Sequence, residues 1–289
     1  MTNLTTGIHD GISDAVYHAD PCLPDNISLS STELRRITAS PARFRWCKDN
    51  PPPHKRVFEF GHAAHRLALG VGSDIVVCDY DSWRTKAAQT ERDDARANGQ
   101  TPLLPDEWAE LQQMLHALRA HPVAAALLDP DRGGKPEQTL IWQDPTGPMC
   151  RARADWFPNL TGDGRPILTD YKTAADASNN AFARAAANYG YHQQAAWYLA
   201  GVRALTGIDR PAFVFVVQEK EPPYLVNVIE LDETALRIGD AQNSAAVATY
   251  LQCVETRQWP GYGPDVQLVA LPRWIETRFE EEYPNAASF

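Results

Sequence analysis

Asp170 and Lys172 stand two residues apart in PILTDYKTA, a run with the composition of a β-strand. Strand side chains alternate in direction, so a carboxylate and an amine leave one face together. In the preceding run RARADW the same alternation puts Arg151, Arg153 and Asp155 on a shared face, and a hairpin would set Asp155 beside Asp170. Two carboxylates and a lysine then meet at one strand edge. Hard divalent cations, Mg²⁺ above all with Mn²⁺ as a substitute, take oxygen ligands. Phosphodiester hydrolysis needs a Lewis acid, an activated water and a stabilised leaving oxygen, and this trio can supply all three. Taken alone, D-x-K is common, and its plain alternative is a local ion pair on a solvated face.

The elements that must position these residues are legible in the spacing. Ser30 and Glu33 form an S-x-x-E capping box at the head of the helix STELRRITA, and Ser40 with Pro41 makes an N-cap and first-turn pair for SPARFRWCK. Two short helices thus build an amino-terminal arm, residues 1–56, closed by the Pro-rich hinge DNPPPHKR (49–56), ahead of a body spanning 57–289. VFEFGHAAHRLALG reads as a helix ending at Gly70, and PDEWAELQQMLHALRAH (105–121) as a longer amphipathic one. The charged DSWRTKAAQTERDDARANGQ between them reads as a solvated helix or mobile flap.

The period then changes. QTLIWQD, the turn DPTG and MCRARADWFP form two antiparallel strands, and the Gly-rich PNLTGDGR leads into PILTDYKTA as the third strand of a meander. From Ser178 to about Thr206 helical spacing returns, with Tyr191, Gln194, Tyr198 and Leu205 close to one face. AFVFVVQEK and YLVNVIEL follow as apolar strands split by EPP. A strand, a crossover helix and another strand imply a right-handed unit and a mixed sheet. The expected class is α/β, a central mixed β-sheet flanked by helices with a helical amino-terminal arm.

Composition bounds the rest. A chain of 289 residues that is 44% hydrophobic can bury a substantial core as one large domain or two small ones. Its five cysteines, Cys22, Cys47, Cys78, Cys150 and Cys253, show no zinc-ligand spacing and read as reduced thiols. The opening MTNLTTGIHDGISD has neither a basic nor an apolar leader region, and no run approaches the ~20 apolar residues of a membrane span, so the expected location is cytoplasmic. A net charge of −10 argues against affinity built on broad phosphate neutralisation, while leaving room for a local channel lined by metal and basic groups.

An ordered set sharpens the reading: G-x-x-x-H (Gly61 to His65), E-Q-T-L-I-W from Glu137, R-A-D-W with Asp155, D-Y-K-T with Asp170 and Lys172, and Q-A-A-W-Y from Gln194 to Tyr198. It resembles the PD-(D/E)XK, RecB-like nucleases, and within them the RecE-type exodeoxyribonucleases (exodeoxyribonuclease VIII-like), from GIHDGISDAVYH to ALPRWIE. The resemblance implies a restriction-endonuclease-like core. It makes Asp155 and Asp170 metal-binding carboxylates, Lys172 the catalytic lysine, His65 a metal-contacting histidine and the Tyr171 main-chain carbonyl a further ligand. Gln194 and Tyr198 fall on the family's Q-x-x-x-Y positions, and Arg153 and Glu137 on site-proximal ones. It further implies digestion of linear duplex from the 5′ end, a 3′ single-stranded tail, a single-strand annealing protein as partner, and a homo-oligomeric ring.

Each assignment has a plainer alternative. His65 could be a packed core histidine, Gln194 and Tyr198 could satisfy buried hydrogen bonds, and Arg151 and Arg153, read as phosphate contacts, could be ordinary strand charges. His62 would pair with His65 only in a zinc site lacking its other ligands, and reads as structural. Two rival functions stand beside the main one: a RecB-like nuclease acting on single strands or junctions, and a nuclease fold kept as a DNA-binding module. The second would be expected to lose one of the acid-acid-lysine set, and all three are present.

Overall fold

The computed structural model describes residues 4–20, 27–50, 59–161 and 164–284, which leaves most of the expected hinge outside the described residues. In chain order the strands are β1 (Gly7–His9), β2 (Ser28–Leu29), β3 (Ile75–Val77), β4 (Thr101–Leu103), β5 (Lys135–Gln143), β6 (Met149–Phe157), β7 (Ile167–Ala174), β8 (Ala212–Glu219) and β9 (Val226–Glu230). The helices are α1 (Asp14–His18), α2 (Ser31–Ala39), α3 (Pro41–Asp49), α4 (Glu59–Leu69), α5 (Lys86–Ala97), α6 (Pro105–Ala120), α7 (Pro122–Leu127), α8 (Asn179–Tyr189), α9 (Tyr191–Thr206), α10 (Glu233–Thr256) and α11 (Arg273–Glu282).

Seven strands form one mixed sheet in the order β1-β5-β6-β7-β8-β9, with β2 added alongside β6. The meander is β5-β6-β7, and the α8–α9 crossover returns β8 parallel to β7, in the register Asp170↔Phe215 and Lys172↔Val217. Alternation along β8 feeds two cores. Phe213, Phe215 and Val217 pack with Leu34, Ile37, Phe44, Trp197 and Tyr250 from α2, α3, α9 and α10. Val216 faces the other way, joining Tyr171 of β7 and Ala63, Leu111 and Met114 of α4 and α6.

Local chemistry accounts for the helix ends. Ser30 and Glu33 exchange the reciprocal bonds of a capping box, and the Ser40 side chain caps α3 ahead of Pro41. The expected continuous helix from Ser178 to Thr206 is broken at Gly190, whose φ of +69° ends α8 and starts α9. The charged segment expected to be a solvated helix or flap is α5, set between the parallel pair β3 and β4, which hydrophobic periodicity did not announce. Arg96 ties it to the first turn of α4 through a two-pronged ion pair with Glu59, at 2.6 and 2.9 Å.

The amino-terminal elements share the sheet and its core. β1 pairs with β5, β2 pairs with β6, and α2 packs on α10. Among the described residues no helix is long and apolar enough to cross a membrane.

Candidate active site

β6 and β7 hold only one paired position, Trp156↔Thr169, and then part. The parting leaves the Tyr171 N–H without a strand partner on that side, and Asp155 fills the gap: its Oδ2 accepts from Tyr171 N at 2.9 Å. The same oxygen lies 2.8 Å from His65 Nε2 on α4. Glu137 sits opposite Asp155 on β5, between the paired positions Pro136↔Trp156 and Gln138↔Ala154. Its φ of +51° is rare for a residue with a side chain and is worth about 1–3 kcal/mol of strain. Its carboxylate reaches to 3.7 Å from His65 Nδ1. One nitrogen and two carboxylates, from His65, Glu137 and Asp155, thus offer ligand atoms within 4.8 Å of one another.

Asp170 and Lys172 lie next to this group on β7. Asp170 is 2% exposed; its Oδ1 accepts from Gln194 Nε2 on α9 at 2.5 Å, and its Oδ2 lies against the Lys172 ammonium. That Oδ2 has no well-directed hydrogen bond. Lys172 in turn rests over the Tyr191 ring, 5.3 Å from its centroid.

Electrostatics mark the same residues. Burial and the neighbouring Asp155 push the Glu137 carboxyl up to about 7, against the pull of His65 and Arg153. Burial also lifts Asp170 to about 6, with Asp155 adding to it and Lys172 opposing it. Burial disfavours the His65 cation, but the carboxylates of Asp155, Glu137 and Asp170 outweigh it and raise the imidazole to about 9. His65 holds Asp155 below the usual carboxylate range despite its burial, while Glu137 and Asp170 are raised, and a bound cation would relieve the crowding of these carboxylates. The donor set, rich in carboxylate oxygen with one imidazole and with Asp170 Oδ2 held only by the Lys172 ammonium beside it, fits a hard divalent ion.

Tyr198 is buried with its ring edge-on to Phe213, its hydroxyl meets the main chain of Arg153, and burial raises its phenol far above the ordinary range. It packs the wall of the site rather than touching the carboxylates. His62 is outside the three-donor group.

Arg151 and Arg153 are placed elsewhere than the expected phosphate contacts and are not surface charges. Arg151 is 4% exposed; it pairs with Asp20 at 3.3 Å and Glu33 at 3.1 Å, and bonds Ser28. Lys48 completes the cluster on Asp20 and Glu33. Arg153 stacks 4.2 Å above the Tyr17 ring, pairs with Asp14 at 2.6 Å, and approaches Glu137 to 3.7 Å. Tyr17, Asp20, Glu33 and Lys48 were not anticipated; they lie more than a hundred residues from Arg151, and no spacing rule links them. Removing one partner from a buried charge cluster leaves the others uncompensated, so Arg151→Ala should lower stability by about 3–5 kcal/mol. Urea denaturation checks this, and a loss below about 1 kcal/mol would show that the cluster does not hold the arm to β6.

Residues 30–272 match the sequence family described as a PDDEXK-like domain of unknown function (DUF3799). No curated protein matches the sequence. Among solved structures, a protein from Eubacterium rectale provisionally named an exonuclease is similar over 93% of this chain and 99% of its own, at 10% identity and a TM-score of 0.58. At that identity the likeness shows a shared fold. An alkaline exonuclease from Laribacter hongkongensis is 17% identical over 67% of this chain and 90% of its own, but its TM-score of 0.23 is too low to bear on the fold.

Proposed function

The chain belongs to the PDDEXK-like domain family (DUF3799), and on that premise we propose that it is a Mg²⁺-dependent DNA exonuclease that hydrolyses phosphodiester bonds of linear duplex. The observation that carries the reading is the convergence of His65, Glu137 and Asp155 where β6 and β7 part, with the Asp170–Lys172 pair adjoining. His65, Asp155 and Asp170 would hold the ion, with Mn²⁺ able to substitute. Glu137 would join them, as would the main-chain carbonyl of Tyr171. When bound, such an ion supplies Lewis acidity to the phosphodiester and lowers the pKa of the attacking water.

The chain's own groups do the rest. Gln194 fixes Asp170 by its hydrogen bond to Oδ1, leaving Oδ2 turned toward Lys172. Lys172, a cation over the Tyr191 ring, orients the attacking water, favours release of its proton to solvent by its positive charge and offsets charge developing on the phosphoryl oxygens. No protein nucleophile is required.

The RecE-type resemblance carries the finer reading: attack from 5′ ends, a 3′ single-stranded tail for recombination, a single-strand annealing protein as partner, and a homo-oligomeric ring around DNA in the cytoplasm. With Mg²⁺ present, end-labelled linear duplex should lose its 5′ label first and a covalently closed circle should persist. The rate should fall steeply with added salt as counterion release loses its advantage. Equal cutting of circles and linear duplex, or release of 3′ label first, would replace this reading with a structure-specific nuclease.

A further inference from the structure

Arg151 and Arg153 are engaged beneath the amino-terminal arm, so the strand being cut must find its cationic contacts elsewhere. The α8–α9 break supplies one place. Gly190 carries no side chain, and the aliphatic stem of Arg35 from α2 lies where a Cβ would stand. This lets the Arg35 guanidinium donate to the main-chain carbonyl of Tyr189, with a second bond to Thr32 Oγ1 at 3.0 Å. Among the described residues no carboxylate forms an ion pair with Arg35, unlike Arg151 and Arg153.

Beside this half-buried cation the Tyr189 side chain is 62% exposed. Its ring is 5.9 Å from that of Tyr191, which in turn supports Lys172 at 5.3 Å. An exposed aromatic and an arginine without an ion-paired carboxylate therefore lie within two ring contacts of Lys172.

We infer that Tyr189 and Arg35 form the landing edge for the DNA strand being cut: the Tyr189 ring stacks on a base and the Arg35 guanidinium takes a phosphate of the same strand. Every base has a π-face, so such an edge binds without sequence preference, as an exonuclease must. The geometry suits one strand separated from its complement, because a stacked duplex offers no free base face. The inference rests on the nuclease reading and names which strand groups that site receives.

The test has two arms. In an Asp170→Asn background, which keeps the probe intact, fluorescence anisotropy of a labelled single-stranded oligothymidylate is followed for Tyr189→Ala, Tyr189→Phe and Arg35→Gln. Tyr189→Ala should weaken binding roughly 5- to 150-fold, the equivalent of about 1–3 kcal/mol per stacked base, and Tyr189→Phe should restore it. Arg35→Gln should flatten the slope of log affinity against log salt by about one phosphate's share. In the otherwise unaltered protein, Tyr189→Ala should raise KM for linear duplex while changing kcat far less. If Tyr189→Ala is neutral in both arms, or if Tyr189→Phe loses as much as alanine, the edge is not a stacking site and the inference falls. If Arg35→Gln leaves the salt slope unchanged, its phosphate contact is wrong. If the unaltered protein fails to digest duplex while Tyr189→Ala still weakens oligonucleotide binding, the nuclease reading fails and the strand edge stands.

Discussion

Asp170→Asn should reduce phosphodiester hydrolysis by roughly 10³-fold or more while the protein remains folded, because it removes charge from the site at which a cation would have to act. The carboxyl is buried between Gln194, which donates to Oδ1, and the Lys172 ammonium, which lies against Oδ2. Asparagine keeps an oxygen for Gln194. Either asparagine or alanine takes the anion from the Lys172 ammonium, at a cost of up to about 3–5 kcal/mol, and alanine adds an empty space, so asparagine mixes less stability loss into the catalytic effect. Single-turnover hydrolysis of end-labelled duplex, set beside a thermal melt of the same preparation, separates the two. Near-normal turnover from a folded asparagine variant would remove Asp170 from the site.

Lys172→Met is the second large effect and differs in kind. Its ammonium touches Asp170 and Tyr191 but has no ligand atom for a cation. Turnover should fall about 10²- to 10³-fold, the range for loss of one positioned charge-stabilising group. The affinity for Mn²⁺ measured by calorimetric titration should change only a few-fold. Methionine keeps the unbranched stem over the Tyr191 ring, so packing is largely retained. A variant that hydrolyses normally but binds metal poorly would assign Lys172 to holding the ion site together rather than to the chemistry.

Local rules read well wherever the cause was local. Ser30 with Glu33, Ser40 with Pro41, and Gly70 after α4 mark helix ends by chemistry confined to a few residues. The meander and the crossover followed from changes of period and from turn residues. Asp170 and Lys172 were legible as a pair from two-residue strand spacing, whereas Gln194, which bonds Asp170, was reached only through the Q-x-x-x-Y resemblance. Glu137 was visible only as a site-proximal position; its left-handed backbone, which accompanies the carboxylate's approach to His65, has no signature in EQTLIW. Most opaque were Arg151 and Arg153. Alternation correctly put them on one face with Asp155, but whether that face is open depends on Tyr17, Asp20 and Glu33 folding back over it. Pairings over so long a separation in sequence are set by topology, which spacing does not encode. The short strands β1 and β2 escaped notice for the same reason: two or three residues carry no period of their own.

The route of the chain also has a bearing on time. Because α2 packs on α10, and β1 and β2 complete their hydrogen bonds on β5 and β6, the arm can cap its own helices early but completes its packing only with sequence made far later. At about 5–20 residues per second of synthesis, the interval between Ala39 and Thr256 lasts roughly 10–45 s. Over that interval Leu34 and Ile37 have no α10 to bury them, and until β6 emerges Glu33 has no Arg151. The carboxylates are themselves dispersed along the chain from Glu137 to Asp170, and Gln194 follows later still. The carboxylates and Gln194 therefore meet only after α9 has been made, while the arm waits longer still for α10.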